Sequence, residues 1–362
     1  MAQNIRIRPM REEEKPDVRA IMRRSFPLIV WLFSEWTPNV LVAEREGQLL
    51  GATMPKLFPL PGGRKGGLVS GIFTDPSARG LGAGQMLTEA ALEFFDERGC
   101  DEVMAIVEGY NTSSSKLFAT RGFSILSPGE QFRRYGLQTF IVWARIAHYL
   151  DIGHFVWARP GAKRPDSPAL QLWGTVLANA LIALLGLWQW RGARFFSDAP
   201  ISFLVVPLAV TLFLGARMLG MTLAARSQGL TVRYRAWESG FVLSIAIALL
   251  GSYFPMPGGV YPASDTWRYR DLLPQLAIVA LAGILPVLTL TWIIWVLRRL
   301  GTLPPSIAPW IDVTILIGLS LALFDTALPF FPFVSLNGRR LWDWNRAVWA
   351  VLTLVVVLLR VL

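Results

Sequence analysis

Arg79-Gly80-Leu81-Gly82-Ala83-Gly84 stands between an apolar run at residues 68–74 and a helix-patterned segment at residues 85–95. The order predicts a strand, a glycine turn and a helix start. Such a junction favours anions: the first N–H groups of a helix lack intrahelical partners, the helix dipole is positive there, and glycines let the backbone approach closely. Arg79 can add a charge-assisted contact. The same turn also serves plain chain reversal, so the flanking sequence has to decide.

The chain is 362 residues long and 53% hydrophobic, and its charge is unevenly spread. Residues 1–165 hold 21 of the 35 Lys and Arg and 17 of the 25 acids, the pattern of a water-soluble domain. Residues 166–362 hold 14 Arg, no Lys and eight acids, separated by long uncharged stretches. Residues 168–190, 239–264 and 272–297 carry no charge and exceed the roughly 20 residues that cross a bilayer core. Residues 200–225, 313–333 and the short run 347–359 extend the expectation to five or six spans. No charged, apolar and small-residue leader precedes the soluble part, so a cleaved signal peptide is not expected.

The single cysteine, Cys100, excludes an internal disulfide and a thiolate metal cluster. The net charge of +10 divides as +4 and +6 between the two parts, and the second share fits arginines flanking spans near anionic headgroups. No basic block with interleaved aromatics points to nucleic acid.

Within the soluble part, residues 5–8, 39–44, 48–54, 68–74, 102–108 and 123–127 read as strands, and residues 12–24, 84–98 and 112–119 as helices. The result is a mixed α/β domain of about 140 residues. Three linked features then resemble the GNAT acetyltransferase superfamily over residues 5–135. They are the loop from Arg79 to Gly84, Asn111 after the strand that ends at Glu108, and the pair Gly122-Phe123. The resemblance implies a mixed central sheet flanked by helices and acetyl-CoA as cosubstrate. Its pyrophosphate would lie on the N–H groups of Leu81, Gly82, Ala83 and Gly84, beside Arg79 and Gly80. Its pantetheine arm would run along Ile72, Phe73 and Thr74, with Asn111 and Ser114 facing the pantetheine or the acetyl end. Glu108 is the expected base and Tyr110 a candidate acid, because the position where many relatives carry a tyrosine is Phe118. No metal is expected.

Residues 132–150 are amphipathic and basic at their start, and can lie on a membrane surface. His148 and His154 are six residues apart, which suits interfacial residues better than a helical metal pair, although Asp151 lies three from each. The domain plan is therefore residues 1–135, a junction and Pro-rich linker at 136–168, and an all-α polytopic membrane domain at 169–362.

The membrane part resembles the site-2 family of intramembrane zinc metalloproteases in three segments: residues 217–237, Phe254-Pro-Met-Pro-Gly-Gly-Val-Tyr261, and residues 328–340. Its metal chemistry is missing. Where the family's His-Glu-x-x-His and Leu-Asp-Gly motifs place ligands and base, this sequence has Arg217, Met218, Met221 and Asn337, and no histidine follows His154. The resemblance thus implies a pseudoprotease. Arg217 and Asp325 lie in apolar runs, where ionisable groups need partners, so they are expected to pair, in place of a metal-centred link between helices. Prolines 255, 257, 274, 286 and 329 predict kinks and a re-entrant loop.

Together these readings predict a membrane-tethered acetyltransferase, multi-pass, with the soluble domain on the cytoplasmic side where acetyl-CoA is found. Its partners would be the lipid bilayer and a membrane protein or peptide. A CoA-responsive regulator without turnover is the alternative. The acceptor loops are expected at residues 25–38 and 58–67.

Overall fold

The computed structural model describes residues 5–26, 36–164, 167–192, 194–264, 267–302 and 304–361, so most of the first expected acceptor loop, including Trp31, lies outside the described residues. The chain divides into two compact units. One comprises residues 1–107, 113–148 and 155–165, and the other residues 108–112, 149–154 and 166–362.

The first unit is built on a seven-stranded sheet in the order β1-β2-β3-β4-β5-β7-β6. The strands are β1 (Arg6–Pro9), β2 (Leu41–Arg45), β3 (Gln48–Pro59), β4 (Lys65–Thr74), β5 (Glu102–Glu108), β6 (Ser124–Ile125) and β7 (His154–Arg159). β1 to β4 form an antiparallel meander, and β4 pairs with β5 in parallel. Successive side chains of a strand point to opposite faces. Val42 accordingly joins a cluster with Val18, Ile21 and Met22 of helix α1 (Lys15–Ser25), whereas Ala43 joins one with Ala83 and Leu87 of helix α2 (Ala83–Glu97). Each face of the sheet is thereby covered.

Two features of this unit depart from the linear reading. Residues 132–150, expected as one amphipathic stretch, contain the end of α4 (Pro128–Tyr135) and all of α5 (Thr139–Arg145). The helix Thr112–Ala119, α3, has the expected bounds. The junction also supplies β7, whose Phe155, Val156, Trp157 and Ala158 are all buried and whose neighbours in the sheet are β5 and β6.

The second unit is mainly helical: α6 (Pro168–Arg191), α7 (Arg194–Ser227), α8 (Gly240–Leu249), α9 (Tyr269–Arg299), α10 (Ala308–Ala327), α11 (Asn337–Trp344) and α12 (Arg346–Val361), with a hairpin of β8 (Val232–Arg235) and β9 (Gly259–Pro262). Among the described residues four helical segments are long and apolar enough to cross a membrane: Pro168–Arg191, Ile201–Ser227, Tyr269–Arg299 and Pro305–Ala327. The expected five or six are not reached by this measure of length and composition. The uncharged run 239–264 holds only the ten-residue α8, followed by irregular chain and β9. Side chains bond part of its irregular backbone. The Asn179 side chain accepts from Met256 N (2.8 Å) and donates to Met256 O (2.9 Å), and Ser244 Oγ donates to Phe254 O (2.8 Å). Non-helical chain at membrane depth is tolerated only under such cover. Pro274 and Pro286 lie inside α9, which continues through both, while Pro255 and Pro257 lie in the irregular segment.

Candidate functional site

The glycine loop opens at the end of β4. Asp75 anchors it by accepting from Ser77 N (2.9 Å) and Ser77 Oγ (2.6 Å), and by pairing with Arg24 (2.6 Å). The serine bonds, helped by Arg24, hold its carboxyl down at about 2. Gly80 and Gly82 then take φ values of +84° and +83°, the left-handed region that costs glycine nothing. Gly82 caps α2, whose first bonds run from Gln85 N and Met86 N to Gly82 O (3.0 and 3.2 Å). No acid occupies the first turn of α2, Arg79 is exposed, and a side chain built at Gly84 would meet only Thr74 Cγ2 at 3.9 Å. These are the conditions for an anion at a helix start.

The positions expected for pantetheine lie on β4 beyond the end of its ladder with β5. The parallel ladder of β4 and β5 runs from Gly66–Glu102 to Val69–Ala105, yet β4 continues to Thr74 and β5 to Glu108. On the other side, Ile72, Phe73 and Thr74 pair with Thr53, Ala52 and Gly51 of β3. Phe73 is buried against α1, and Ile72 packs with the α2 cluster. Ser114 lies partly buried in α3. In the same helix Phe118 is buried against Phe123, with ring centroids 5.1 Å apart. The usual tyrosine position therefore serves core packing.

Glu108, Tyr110 and Asn111 belong to the second unit. Glu108 Oε1 accepts from Tyr110 N (3.0 Å) and from Ser335 Oγ (3.3 Å). Burial pushes this carboxyl up to about 7, against the opposing pull of His154, Ser335, Arg339 and Arg340. Tyr110 is buried, stacks on Tyr261 at 5.0 Å, touches the rings of Tyr269 and Trp267, and lies under the Arg340 guanidinium at 4.6 Å. Its hydroxyl has no hydrogen-bond partner among the described residues. Asn111 is exposed and donates its backbone N–H to Glu108 O (2.9 Å). Ser335 and Arg340 were not legible as neighbours of Glu108, because more than 220 positions separate them from it and the motif segment 328–340 points to another site.

The positions that the protease resemblance assigns to zinc ligands do converge. Arg217 donates from Nε to Asp325 Oδ2 (2.8 Å), from Nη2 to Asp325 Oδ1 (3.1 Å) and from Nη1 to Gly258 O (3.1 Å). Asn337 donates from Nδ2 to Asp325 Oδ2 (2.7 Å), and Met221 Sδ lies 3.8 Å from the same amide nitrogen. Met218 is partly buried against the cluster containing Met221. This donor set does not suit zinc, since a guanidinium has no lone pair to give and the motif's imidazoles are gone. Among the described residues no group of three or more His, Cys, Asp or Glu is arranged to hold a metal. His154 Nδ1 meets the backbone oxygen of Asp151 at 3.1 Å rather than its carboxylate.

Residues 5–123 match the model of the Acetyltransferase (GNAT) family. They form a GNAT domain. The chain is 38% identical over 86 residues to a mycothiol acetyltransferase of Salinispora tropica, covering 24% of this chain and 28% of that protein. It is also 29% identical over 136 residues to a protein of Methanocaldococcus jannaschii designated a zinc metalloprotease, covering 37% of this chain and 66% of that one. Each relative is thus matched over less than two thirds of its own length. Among solved structures, a NatC complex bound to Gag peptide and CoA aligns with 19% identity and a TM-score of 0.32, over 42% of this chain and 96% of that one. Likeness to an acetyltransferase and to a metalloprotease in one chain agrees with reading it as a GNAT domain joined to a protease-like part.

Proposed function

We propose that this protein transfers the acetyl group of acetyl-CoA to an amine on a membrane-associated protein, peptide or lipid-linked acceptor. The observation that carries the reading is the pair of left-handed glycines, Gly80 and Gly82, feeding the bare N-terminus of α2 beside the stretch of β4 that extends past its ladder with β5. The N–H groups of Leu81, Gly82, Ala83 and Gly84 would hold the pyrophosphate with Arg79. The backbone of Ile72, Phe73 and Thr74 would take the pantetheine arm, and Asn111 and Ser114 would face it.

Transfer requires a neutral amine. The nitrogen lone pair attacks the acetyl carbon, the nitrogen proton passes to Glu108, and the carbon–sulfur bond breaks as the amide forms. A carboxyl near 7 suits this task, because it is partly ionised at neutral pH and still basic enough to accept a proton. A thiol of ordinary acidity can leave as thiolate, so the step does not depend on Phe118 or on the Tyr110 hydroxyl. The apolar helices would anchor the chain in a bilayer, with the GNAT domain on the cytoplasmic side. We assign the protease-like part no cleavage, because Arg217, Met221 and Asn337 replace its ligands.

Calorimetry of the full chain in lipid nanodiscs tests CoA binding, and a thiol-release assay against a panel of amines tests turnover. Failure to bind acetyl-CoA would overturn the reading. A second reading, a CoA-responsive regulator, is favoured by the buried Phe118 and the packed Tyr110. Tight binding without thiol release would establish it.

A further inference from the structure

We propose that the GNAT domain carries a docking face for an anionic bilayer surface, formed by the apolar side chains of α4, α5 and their connection and by the basic rim beside them. The inference rests on the membrane part of the function proposed above and names the surface and lipid charge involved. Leu137 is 83% exposed, Phe140 56% and Ile141 50%, and Phe132 is exposed at the same helix pair. They are not scattered. Phe132, Phe140 and Trp143 form one aromatic cluster with centroids 5.5 to 6.2 Å apart, and Leu137 lies in the short connection between α4 and α5.

Local sequence makes this projection rigid. Trp143 Nε1 donates to Gln131 Oε1 (2.6 Å), Thr139 Oγ1 donates to Gly136 O (2.7 Å), and Val142 and Ile146 seat the opposite side of α5 in the sheet core. The buried side thus anchors α5, while Phe132 and Phe140 cover Trp143 with one part of their rings and, with Leu137 and Ile141, leave the rest exposed. Adjacent apolar groups exposed together mark an interaction surface rather than ordinary exposure.

Charge identifies the occupant. Arg64, Arg133, Arg134, Lys163 and Arg164 line a surface hollow together with Asp101, Glu102 and Glu130. The acids are engaged locally: Glu102 with Arg134 and Tyr135, Glu130 with Arg133, and Asp101 with Lys65 N. Lys163 and Arg164 are exposed, and the hollow has five cations to three anions. Apolar and aromatic side chains next to excess positive charge match the boundary between acyl chains and anionic headgroups. In sequence this face precedes α6, the first membrane-length helix, by only a few tens of residues, so the two are covalently tethered.

The test uses the full chain in nanodiscs, with Cys100→Ser and Leu137→Cys carrying an environment-sensitive fluorophore, and Lys116→Cys on exposed α3 as the comparison site. Discs of phosphatidylcholine with one quarter phosphatidylglycerol should give blue-shifted emission at 137, quenched by spin-labelled acyl chains, and neither effect at 116; discs of phosphatidylcholine alone should give much weaker effects at 137. The double variant Lys163→Glu and Arg164→Glu should weaken docking by at least about fivefold per charge removed, with CoA binding retained to show that the domain is folded. Water-like emission at 137 in both lipid mixtures overturns the proposal, as does insertion equal in the two mixtures and unaffected by charge reversal. Incorporation into discs and CoA affinity, read on the same samples, separate failure of this inference from failure of the proposed function.

Discussion

Arg217 and Asp325 form a two-pronged ion pair, 2.8 and 3.1 Å across, with each side chain 3% exposed. Breaking a buried pair by removing one partner leaves an uncompensated charge and costs about 3–5 kcal/mol, whereas replacing both partners is often neutral. Arg217→Met and Asp325→Leu should therefore each destabilise the second unit strongly, and the double replacement Arg217→Met with Asp325→Leu should recover much of the loss. Thermal unfolding in detergent, arranged as a double-mutant cycle, checks the coupling. Asn337→Asp, which restores the aspartate of the protease motif, should also destabilise, because its new carboxylate would face Asp325 where an amide now donates at 2.7 Å.

Glu108 sets a pH dependence whose sign is fixed by its raised carboxyl. Thiol release should rise with pH through about 7 and then level, as the base ionises. Glu108→Gln should lower the rate by about 10²–10⁴, leaving acetyl-CoA affinity nearly unchanged. Ser335→Ala removes a donor to the ionised form, so the rising limb should move to higher pH. The stability effect has the opposite slope. Between its ordinary value near 4.5 and about 7 the folded chain holds a proton that the unfolded chain has lost, so stability falls as pH rises across that window. Glu108→Gln should flatten the slope, and unfolding midpoints taken from pH 4 to 8 would reveal it.

The glycine loop should be the part of the chain most sensitive to replacement in CoA binding. Gly82→Val forces a β-branched residue to φ +83° and should cost about 1–2 kcal/mol locally, while disturbing the N–H groups proposed to hold the pyrophosphate. Arg79→Ala removes an exposed cation without touching the fold. Loss of one charge-assisted bond, about 1.5–3 kcal/mol, corresponds to at least about a tenfold rise in Kd. Calorimetry with CoA separates the two: Gly82→Val should also lower the melting temperature of the GNAT domain, and Arg79→Ala should not.

How much was legible follows from which signals are local. The strand, turn and helix around Arg79–Gly84 could be read because glycine, charge and apolar period all change within a few residues, and α3 matched to the residue for the same reason. β7 escaped because Phe155-Val156-Trp157-Ala158 is buried throughout and shows no alternation, so periodicity cannot separate it from a buried helix. Residues 239–264 were overread in the other direction. Residues 253–262 within them are enclosed by protein, as the Asn179 bonds to Met256 show, and hydropathy does not distinguish protein cover from lipid. The Arg217–Asp325 pairing was anticipated, since ionisable groups in apolar runs need partners. The contact of Ser335 with Glu108 was not, because nothing short of the tertiary fold brings them together.

Close helix packing supplies a last prediction, within a single helix. A Cβ placed on Gly220 of α7 would fall 1.9 Å from the backbone oxygen of Ala282 and 3.2 Å from Pro286 Cγ in α9, so the two helices meet where only hydrogen fits. Small residues at such crossings let backbones approach and gain dispersion contact, the main attraction left between helices when both solvent and core are apolar. Gly220→Ala should force α7 and α9 apart and destabilise by about 1–3 kcal/mol, and Gly220→Leu by more. Gly215, five residues earlier, has open space where its Cβ would project. There the same change to alanine should stabilise by about 0.5–1 kcal/mol through helix propensity alone. Melting temperatures of the two alanine variants in one detergent should therefore move in opposite directions, and equal shifts would mean that the α7–α9 approach is not set by Gly220.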